Sequence, residues 1–218
     1  MKYRAVLFDL DGTLLDTLQD LAGATNKGLS CLGFPQHRVE AYKYFVGAGR
    51  EEMALRALPE EHRDAVTVSR LVEHINREYA DHWADHTRPY AGVPELLDAL
   101  TARGTKTAVL SNKPQNFTEL MVSRLLSSWQ FEIVAGSLPA VPKKPDSTAA
   151  LKIVRQMNTR ASEFLYLGDS GIDMQTAVNA GMYPVGALWG YRTAEELKAS
   201  GAKALIDKPT ALLEFFSP

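Results

Sequence analysis

The sequence predicts an α/β fold in which a parallel sheet is covered by helices and interrupted by an inserted helical domain. Short apolar segments recur along the 218 residues, and each is followed by a polar or Gly-containing turn and a helical pattern. This alternation is typical of βαβ units, and continuous apolar runs are typical of parallel strands that are covered on both faces. The predicted strands are 4–8, 106–110, 132–135, 164–167 and 184–188, with a weaker sixth at 204–206.

An insertion is predicted because about a hundred residues separate the first two strands, far more than one crossover helix requires. Two sets of apolar residues in this stretch recur at helical spacing. They are Leu14, Leu18, Leu21 and Ala22 in the first set, and Leu71, Val72, Ile75, Tyr79 and Trp83 in the second. The segment PYAGVP at 89–94 marks the return to the main domain. We therefore expect a helical cap domain over 16–86 and a core over 1–15 and 87–218.

The composition is ordinary for a soluble globular protein, with 45% hydrophobic residues, a net charge of -2 and a pI near 6.2. Nucleic-acid binders usually carry a basic excess, so no nucleic-acid partner is expected. The apolar run after Arg4 is too short for a signal peptide or a membrane span, which favours a cytoplasmic protein without a membrane partner. The single cysteine, Cys31, is expected to be a small packed residue. A monomer and a homodimer are both compatible with the sequence.

All five histidines fall in the predicted insert, and His82 and His86 have the i, i+4 spacing of a helical metal pair. No cysteine cluster or HExxH pattern accompanies them. A solvated polar face explains the pair as well as a zinc site does, and we favour that interpretation.

The strongest functional signal is the segment FDLDGTL at 8–14, where an apolar strand runs into a glycine turn. Asp9 and Asp11 would stand at the carboxyl edge of the sheet, where ligand sites form. Two carboxylates in a partly desolvated site repel each other unless a cation or a proton intervenes. The alternative is that both residues cap local backbone N–H groups at the strand end.

A second acidic segment, LGDSGID at 167–173, also follows an apolar strand and opens a helical pattern. Two strand ends thus offer carboxylates to one edge, and Mg²⁺ prefers hard oxygen ligands of this kind. Asp169 is the stronger candidate ligand because it is nearer the strand end. Asp173 could instead be a first-turn residue that the helix dipole favours.

Two weaker signals complete the set. Ser111 and Asn112 follow a predicted strand, where a hydroxyl and backbone N–H groups could hold phosphoryl oxygens, although such residues are more often turn or helix-cap residues. Lys143 and Lys144 stand in the proline-stiffened loop PKKPD at 142–146. Lone lysines are usually solvated, so these two lysines are of interest only because the acidic segments are present.

Together, the four segments resemble the motifs of haloacid dehalogenase superfamily phosphatases, and most closely the phosphoglycolate phosphatase branch. The matches run in order over essentially the whole chain: DLDGT with Asp9 and Asp11, LSN with Ser111, KP with Lys144, and GDSGID with Asp169 and Asp173. The resemblance implies a Rossmann-like core with a helical cap after the first motif. It also identifies Trp189–Arg192, WGYR, with the loop after the fifth strand. Because the family often reads Lys-Pro-x-Pro and Pro145 is followed here by Asp146, Lys143 stays an alternative to Lys144.

The resemblance implies a role for each motif residue. Asp9 would be the nucleophile and Asp11 the general acid and base, while Ser111 and Lys144 would stabilise the phosphoryl oxygens. Mg²⁺ would be held by Asp9, the Asp11 backbone carbonyl, Asp169 and, through water, Asp173. Asn112, Gly12 and Thr13 are expected to contact the substrate.

The expected activity is therefore Mg²⁺-dependent hydrolysis of a small phosphorylated metabolite, with phosphoglycolate as a candidate. Asp11 argues against dehalogenation, which needs no acid at this place. A sugar phosphomutase of the same superfamily and a catalytically silent phosphate-binding protein remain alternatives. Specificity is assigned to the cap, where Arg50 follows the glycine-containing segment VGAG at 46–49 and could bind a carboxylate or a second phosphate. The alternative for Arg50 is a surface residue at a helix start.

Overall fold

The computed structural model describes residues 3–216 and divides into two compact units, Met1–Leu15 with Pro89–Pro218, and Asp16–Arg88. The strands in chain order are β1 (Ala5–Phe8), β2 (Leu15–Asp16), β3 (Arg88–Pro89), β4 (Lys106–Pro114), β5 (Ile133–Ser137), β6 (Phe164–Gly168), β7 (Tyr183–Ala187) and β8 (Ala204–Ile206). The α-helices are α1 (Leu18–Cys31), α2 (Tyr42–Phe45), α3 (Arg50–Ala57), α4 (Ala65–His82), α5 (Val93–Ala102), α6 (Gln115–Leu125), α7 (Thr148–Gln156), α8 (Gly171–Ala180) and α9 (Ala194–Ala199). Short 3₁₀ helices lie at Val39–Ala41, Glu60–His62, Ala161–Glu163 and Pro209–Phe216.

The first unit contains a six-stranded sheet in the order β5-β4-β1-β6-β7-β8, in which the pairings are parallel. The α/β fold with a parallel sheet is thus confirmed. All four residues of β1 are buried, and alternate residues of a strand point to opposite faces, so the sheet is covered on both sides. On one face Ala5 and Leu7 pack with buried residues of α7 and α8. A separate two-stranded sheet pairs β2 with β3.

The register of the sheet decides where the site can form. Phe8 is aligned with Val109 of β4 on one side and with Leu167 of β6 on the other. The three strands therefore reach the same edge side by side, and the residues that follow Phe8 and Leu167 are Asp9 and, after Gly168, Asp169.

Strand β4 is longer than predicted. The sequence predicted an end at Leu110, but β4 continues to Pro114, with an irregular register against β5 between Leu110 and Pro114. The pairing resumes where Pro114 meets Ser137. An irregularity of this kind bends a strand locally and redirects its side chains, and here it falls on Ser111, Asn112 and Lys113.

The second unit is built on α1 and α4, which pack against each other. The helices approach closely at Gly28, where an added Cβ would lie 2.8 Å from Leu71 Cδ1. Leu71, Ile75 and Tyr79 of the predicted second stripe are fully buried, so this stripe is the core-facing side of α4. The prediction for Cys31 was wrong: this residue ends α1 and is exposed.

A buried carboxylate joins the beginning and the end of the second unit. Asp20 in α1 accepts hydrogen bonds from the His86 and Thr87 backbone N–H groups, at 3.0 and 2.8 Å, and from the Thr87 hydroxyl at 2.7 Å. Burial opposes the charged form of Asp20, yet the hydrogen bonds from Thr87 and His86 outweigh it and lower the pKa of this carboxyl. We call this arrangement the Asp20 clamp.

The predicted histidine pair does not form a helical metal site. Helix α4 ends at His82, so His86 lies beyond it, and each ring faces a carboxylate instead: His82 Nδ1 is 2.9 Å from Asp85 and His86 Nδ1 is 2.9 Å from Asp20. Among residues 3–216, no helix is long and apolar enough to cross a membrane.

Candidate active site

Three buried carboxylates meet at the carboxyl edge of the sheet. Asp9 follows β1, Asp169 follows β6, and Asp173 lies in the first turn of α8; one oxygen from each is within 4.8 Å of the others. Burial first, and then the negative charge of Asp173, raise the pKa of Asp9 well above its usual range and that of Asp169 to about 7. The cluster therefore favours a bound cation or a proton.

Lys144 is the cation that lies between these carboxylates. Its buried Nζ donates to Asp9 Oδ1 and to Asp173 Oδ1, both at 2.7 Å, and to the Leu110 carbonyl at 3.0 Å. Burial opposes the charged form, yet Asp173 and Asp9 hold the pKa of Lys144 well above its usual value. Lys143 is exposed, so the structure brings Lys144 to the cluster and not its neighbour.

Replacing Lys144 by methionine should destabilise the metal-free protein by roughly 3–5 kcal/mol, because two buried carboxylates lose their counter-charge. The measurement is urea unfolding in EDTA at pH 8. The matched control is Lys143→Met, which should change the free energy of unfolding by less than about 1 kcal/mol. Equal losses in the two variants would contradict this assignment of Lys144.

Asp173 serves two partners at once. Its Oδ2 accepts from the Ser170 backbone N–H at 3.0 Å and from the Ser170 hydroxyl at 2.5 Å, while the Ser170 Oγ accepts from the Asp173 N–H. This is a capping box at the start of α8. Its Oδ1 faces Lys144. Asp173 is therefore both a first-turn residue of α8 and a member of the acidic cluster.

Three glycines give the carboxylates their space. A Cβ on Gly12 would lie 2.4 Å from Asp169 Oδ2, and one on Gly190 would lie 2.2 Å from Asp169 Cβ. A Cβ on Gly168 would lie 2.3 Å from Asp173 Cβ. Sequence reasoning assigned no role to Gly168 or Gly190. The available signal was a glycine next to an acidic residue within a motif, which can mark a close approach and not only a turn.

Asp11 lies apart from the cluster and faces a different lysine. Its side chain is about nine-tenths buried, and Lys113 Nζ lies 3.1 Å from its Oδ1 with only 3% of the Lys113 side chain exposed. Sequence reasoning missed Lys113 altogether. The signal that could have found it was a second cation at a strand end in a site rich in carboxylates.

Three other predicted site residues make hydrogen bonds to protein groups of the site. Thr13 is fully buried and its hydroxyl donates to Asp169 Oδ1 at 3.0 Å. The Asn112 side chain binds the Lys144 backbone through both its amide nitrogen and its oxygen, at 3.1 and 2.9 Å. Ser111 is buried, and its Oγ accepts from the Lys113 N–H. These contacts make Thr13 and Asn112 supports of Asp169 and Lys144, and their expected contact with the substrate stays a prediction.

Arg50 lies in the second unit, as the first residue of α3. The preceding glycines Gly47 and Gly49 have φ values of 118° and 100°, which favour glycine. Arg50 is buried, its Nη1 donates to Asn76 Oδ1, and its guanidinium lies 5.2 Å from the centre of the Tyr79 ring. The alternative of a surface arginine is therefore wrong, although Arg50 does begin a helix.

A divalent cation fits the charges of the first unit. Four carboxylates, those of Asp9, Asp11, Asp169 and Asp173, face only Lys113 and Lys144 among the ion pairs of the described residues, so full ionisation would leave two negative charges. Buried charges are retained when they are paired or when they coordinate a metal. Oxygen ligands of this kind suit Mg²⁺.

Mg²⁺ should raise the melting temperature more at pH 8 than at pH 5. Because the pKa of Asp169 is raised to about 7, above its unfolded value, the metal-free protein loses stability as the pH rises through 7. Below pH 7 a proton competes with the metal, and each pH unit weakens binding by about tenfold, or about 1.4 kcal/mol. The two Mg²⁺-induced shifts should therefore differ by roughly 5 °C or more in thermal melts against EDTA. The control is to match the ionic strength of all samples. Equal Mg²⁺-induced shifts at the two pH values would then contradict this prediction.

Comparisons with known proteins identify the family to which this chain is similar. The family model for haloacid dehalogenase-like hydrolases matches residues 6–187. A phosphoglycolate phosphatase of Pseudomonas putida is 33% identical over 213 residues, 96% of this chain and 78% of the relative. An N-acetylmuramic acid 6-phosphate phosphatase of Pseudomonas aeruginosa is 31% identical, covering 98% of this chain and 95% of the relative. The crystal structure of a candidate phosphoglycolate phosphatase from Lactobacillus delbrueckii subsp. bulgaricus superposes with a TM-score of 0.93 at 31% identity, covering 99% of this chain and 98% of that one.

Proposed function

This chain belongs to the haloacid dehalogenase-like hydrolases and is a phosphatase of that family; we propose that it hydrolyses a small phosphomonoester through a phosphoryl group carried on Asp9. The observation that supports this most directly is the position of Asp9. Its carboxylate is 2.7 Å from Lys144 Nζ and within 4.8 Å of oxygens of Asp169 and Asp173.

In the first half of the proposed reaction, a carboxylate oxygen of Asp9 attacks the phosphorus. The new O–P bond forms as the P–O bond to the alcohol breaks, and Asp11 gives its proton to the departing alkoxide. A difficult hydrolysis is thereby divided into two easier displacements. The hydrogen bond from Lys144 holds Asp9 in one orientation for the attack.

In the second half, water attacks the phosphorus and the bond to Asp9 breaks. Asp11, now a carboxylate, takes the proton of that water, which returns the site to its starting state. Lys144 and Ser111 are proposed to stabilise the negative charge on the phosphoryl oxygens. Asn112 supports this by fixing the backbone of Lys144.

Four groups are proposed to hold Mg²⁺. They are Asp9, Asp169, the backbone carbonyl of Asp11 and, through water, Asp173. When bound, the ion would neutralise charge that otherwise repels the nucleophile from the phosphate. Both oxygens of Asp173 already have protein partners, which supports the water-mediated position.

The test is phosphate release from a panel of metabolite phosphates, measured with Mg²⁺ and in EDTA. We expect turnover that EDTA abolishes and Mg²⁺ restores. Full activity in EDTA would refute the metal site, and absence of turnover on the whole panel would favour a silent phosphate-binding protein. A sugar phosphomutase would convert a sugar monophosphate in the presence of its bisphosphate without net phosphate release.

The substrate class that we propose is a phosphate ester of a carboxylic acid. Phosphoglycolate and N-acetylmuramic acid 6-phosphate, the substrates in the names of the two relatives, both carry a carboxylate besides the phosphate. Phosphoglycolate is the simplest member of this class. Arg50 is the proposed cap residue for the second anion, because a buried guanidinium can bind a carboxylate with two parallel hydrogen bonds.

Replacing Arg50 by alanine should lower kcat/KM for phosphoglycolate by roughly ten- to a hundredfold, the loss of a charge-assisted contact of about 1.5–3 kcal/mol. For an aryl phosphate whose aryl group carries no charge, kcat/KM should fall by less than about threefold. Lys27→Ala, on α1 of the same unit, is the control for a general loss of positive charge. Equal losses on both substrates would mean that Arg50 only supports the cap through Asn76 and Tyr79.

A further inference from the structure

The buried lysine that follows the Ser111-Asn112 pair has no role in the reaction proposed above. Lys113 lies in the irregular part of β4, and both ends of its pair with Asp11 are largely removed from water: 3% of the Lys113 side chain and 11% of the Asp11 side chain are exposed. Long cationic side chains normally extend their charged end into water. The buried position of the Lys113 ammonium group beside a carboxylate is therefore unusual for a lysine.

The backbone around Lys113 is fixed from two sides. Its N–H donates to Ser111 Oγ at 3.2 Å, and its carbonyl accepts from the Thr118 hydroxyl at 3.2 Å. The next residue, Pro114, resumes the sheet pairing with Ser137. The ammonium group is thus carried by a strand that is anchored both before and after the irregularity.

The carboxyl group of Asp11, in contrast, has an oxygen that no hydrogen bond from the described residues fixes. Within residues 3–216, its buried Oδ1 accepts no hydrogen bond of good geometry, although Lys113 Nζ lies 3.1 Å away at ion-pair distance. A buried polar oxygen without a hydrogen bond is rare in folded proteins. Such an atom is available to a further group, and in the proposed reaction that group is the leaving oxygen of the substrate.

We propose that Lys113 is a positioning residue for Asp11, holding its carboxyl group where the leaving oxygen of the substrate departs. This inference rests on the proposed function, since it assigns Lys113 to the acid of that reaction. The two buried lysines then have separate roles. Lys144 orients the nucleophile Asp9 and Lys113 orients the acid Asp11, so the two carboxylates of the first motif are held by separate cations. A displacement of about 1 Å at such a group can lower a rate about a hundredfold.

The experiment compares kcat/KM of Lys113→Met and wild type on three substrates. kcat/KM is the useful quantity because it reports steps up to release of the alcohol. Ethyl phosphate has a poor leaving group and no carboxylate, phosphoglycolate adds the carboxylate, and p-nitrophenyl phosphate has a leaving group that hardly needs a proton. We expect losses of roughly ten- to a hundredfold on the first two and less than about threefold on the third. The matched control is Lys152→Met, an exposed lysine of α7, which should match wild type on all three.

A double-mutant cycle tests whether Lys113 acts through Asp11. In an Asp11→Asn background, adding Lys113→Met should change kcat/KM on ethyl phosphate by less than about twofold, because groups that act as a unit are not additive. Circular dichroism and thermal melting establish that the variants fold. If Lys113→Met does not fold, Lys113→Gln takes its place in both comparisons.

Each other outcome overturns the proposal in a different way. Equal losses on all three substrates would assign Lys113 to phosphate binding, and a loss on phosphoglycolate alone would make it the binding group for the substrate carboxylate. Full additivity in the cycle would show that it acts independently of Asp11. A wild-type protein without turnover on any substrate would instead refute the proposed function itself, so the two failures are distinguishable.

Discussion

Replacing Asp9 by asparagine should abolish phosphate release, with a loss of at least about a thousandfold, while the fold stays intact. The amide has nearly the same shape but is no nucleophile, and it removes one negative oxygen from the metal cluster at the same time. Because burial and Asp173 already disfavour the charged form of Asp9, the melting temperature of the metal-free variant should not fall. The measurements are phosphate release with Mg²⁺ and a thermal melt in EDTA.

The control for this variant is Asp207→Asn, an exposed aspartate just after β8, which should keep full activity. A rate of the Asp9 variant close to that of wild type would rule out the covalent scheme. A large drop in its melting temperature would mean that Asp9 is needed for folding, and the activity loss would then carry no mechanistic meaning.

Asp11→Asn should lose roughly a hundred- to ten-thousandfold in kcat/KM on a substrate with a poor leaving group, the usual value of a positioned proton donor. On p-nitrophenyl phosphate the first step needs little acid, but the second still needs a base. We therefore expect a burst of about one nitrophenolate per enzyme, followed by slow turnover. Stopped-flow absorbance measures the burst.

Near-normal activity of the Asp11 variant on a poor leaving group would show that the acid/base assignment is wrong. Mg²⁺ should still bind to the variant, since the backbone carbonyl of residue 11 is unchanged. A Mg²⁺ titration of the melting temperature is the control that separates lost proton transfer from lost metal.

The fold could be predicted because its signals are local. Strand β1 ends at Phe8, directly before Asp9, and β6 ends at Gly168, directly before Asp169, so each strand also indicated where its carboxylate would stand. Parallel strands share one edge, which brings residues 160 positions apart together without any further information.

What could not be predicted depends on contacts between distant segments. Lys113 is recognised as buried only once the fold places it beside Asp11 of a distant segment, and the extension of β4 depends on pairing with β5. Gly190 has no left-handed conformation that would reveal it; it is required because Asp169 occupies the volume of its Cβ. Nothing in the sequence indicated that the Asn112 amide binds the Lys144 backbone, in a loop thirty-two residues away.

The Asp20 clamp has a consequence for how the chain folds. The pairing of Ala5 with Lys106 closes a loop of about 100 residues, and the bonds from Asp20 to His86 and Thr87 span 66 and 67 of them. If the inserted segment folds first, the loop that remains is about 35 residues long, which lowers the entropy cost of closure by roughly 1 kcal/mol. A second unit that folds early would thus shorten the loop that the sheet has to close, and weakening the clamp would slow refolding more than it accelerates unfolding.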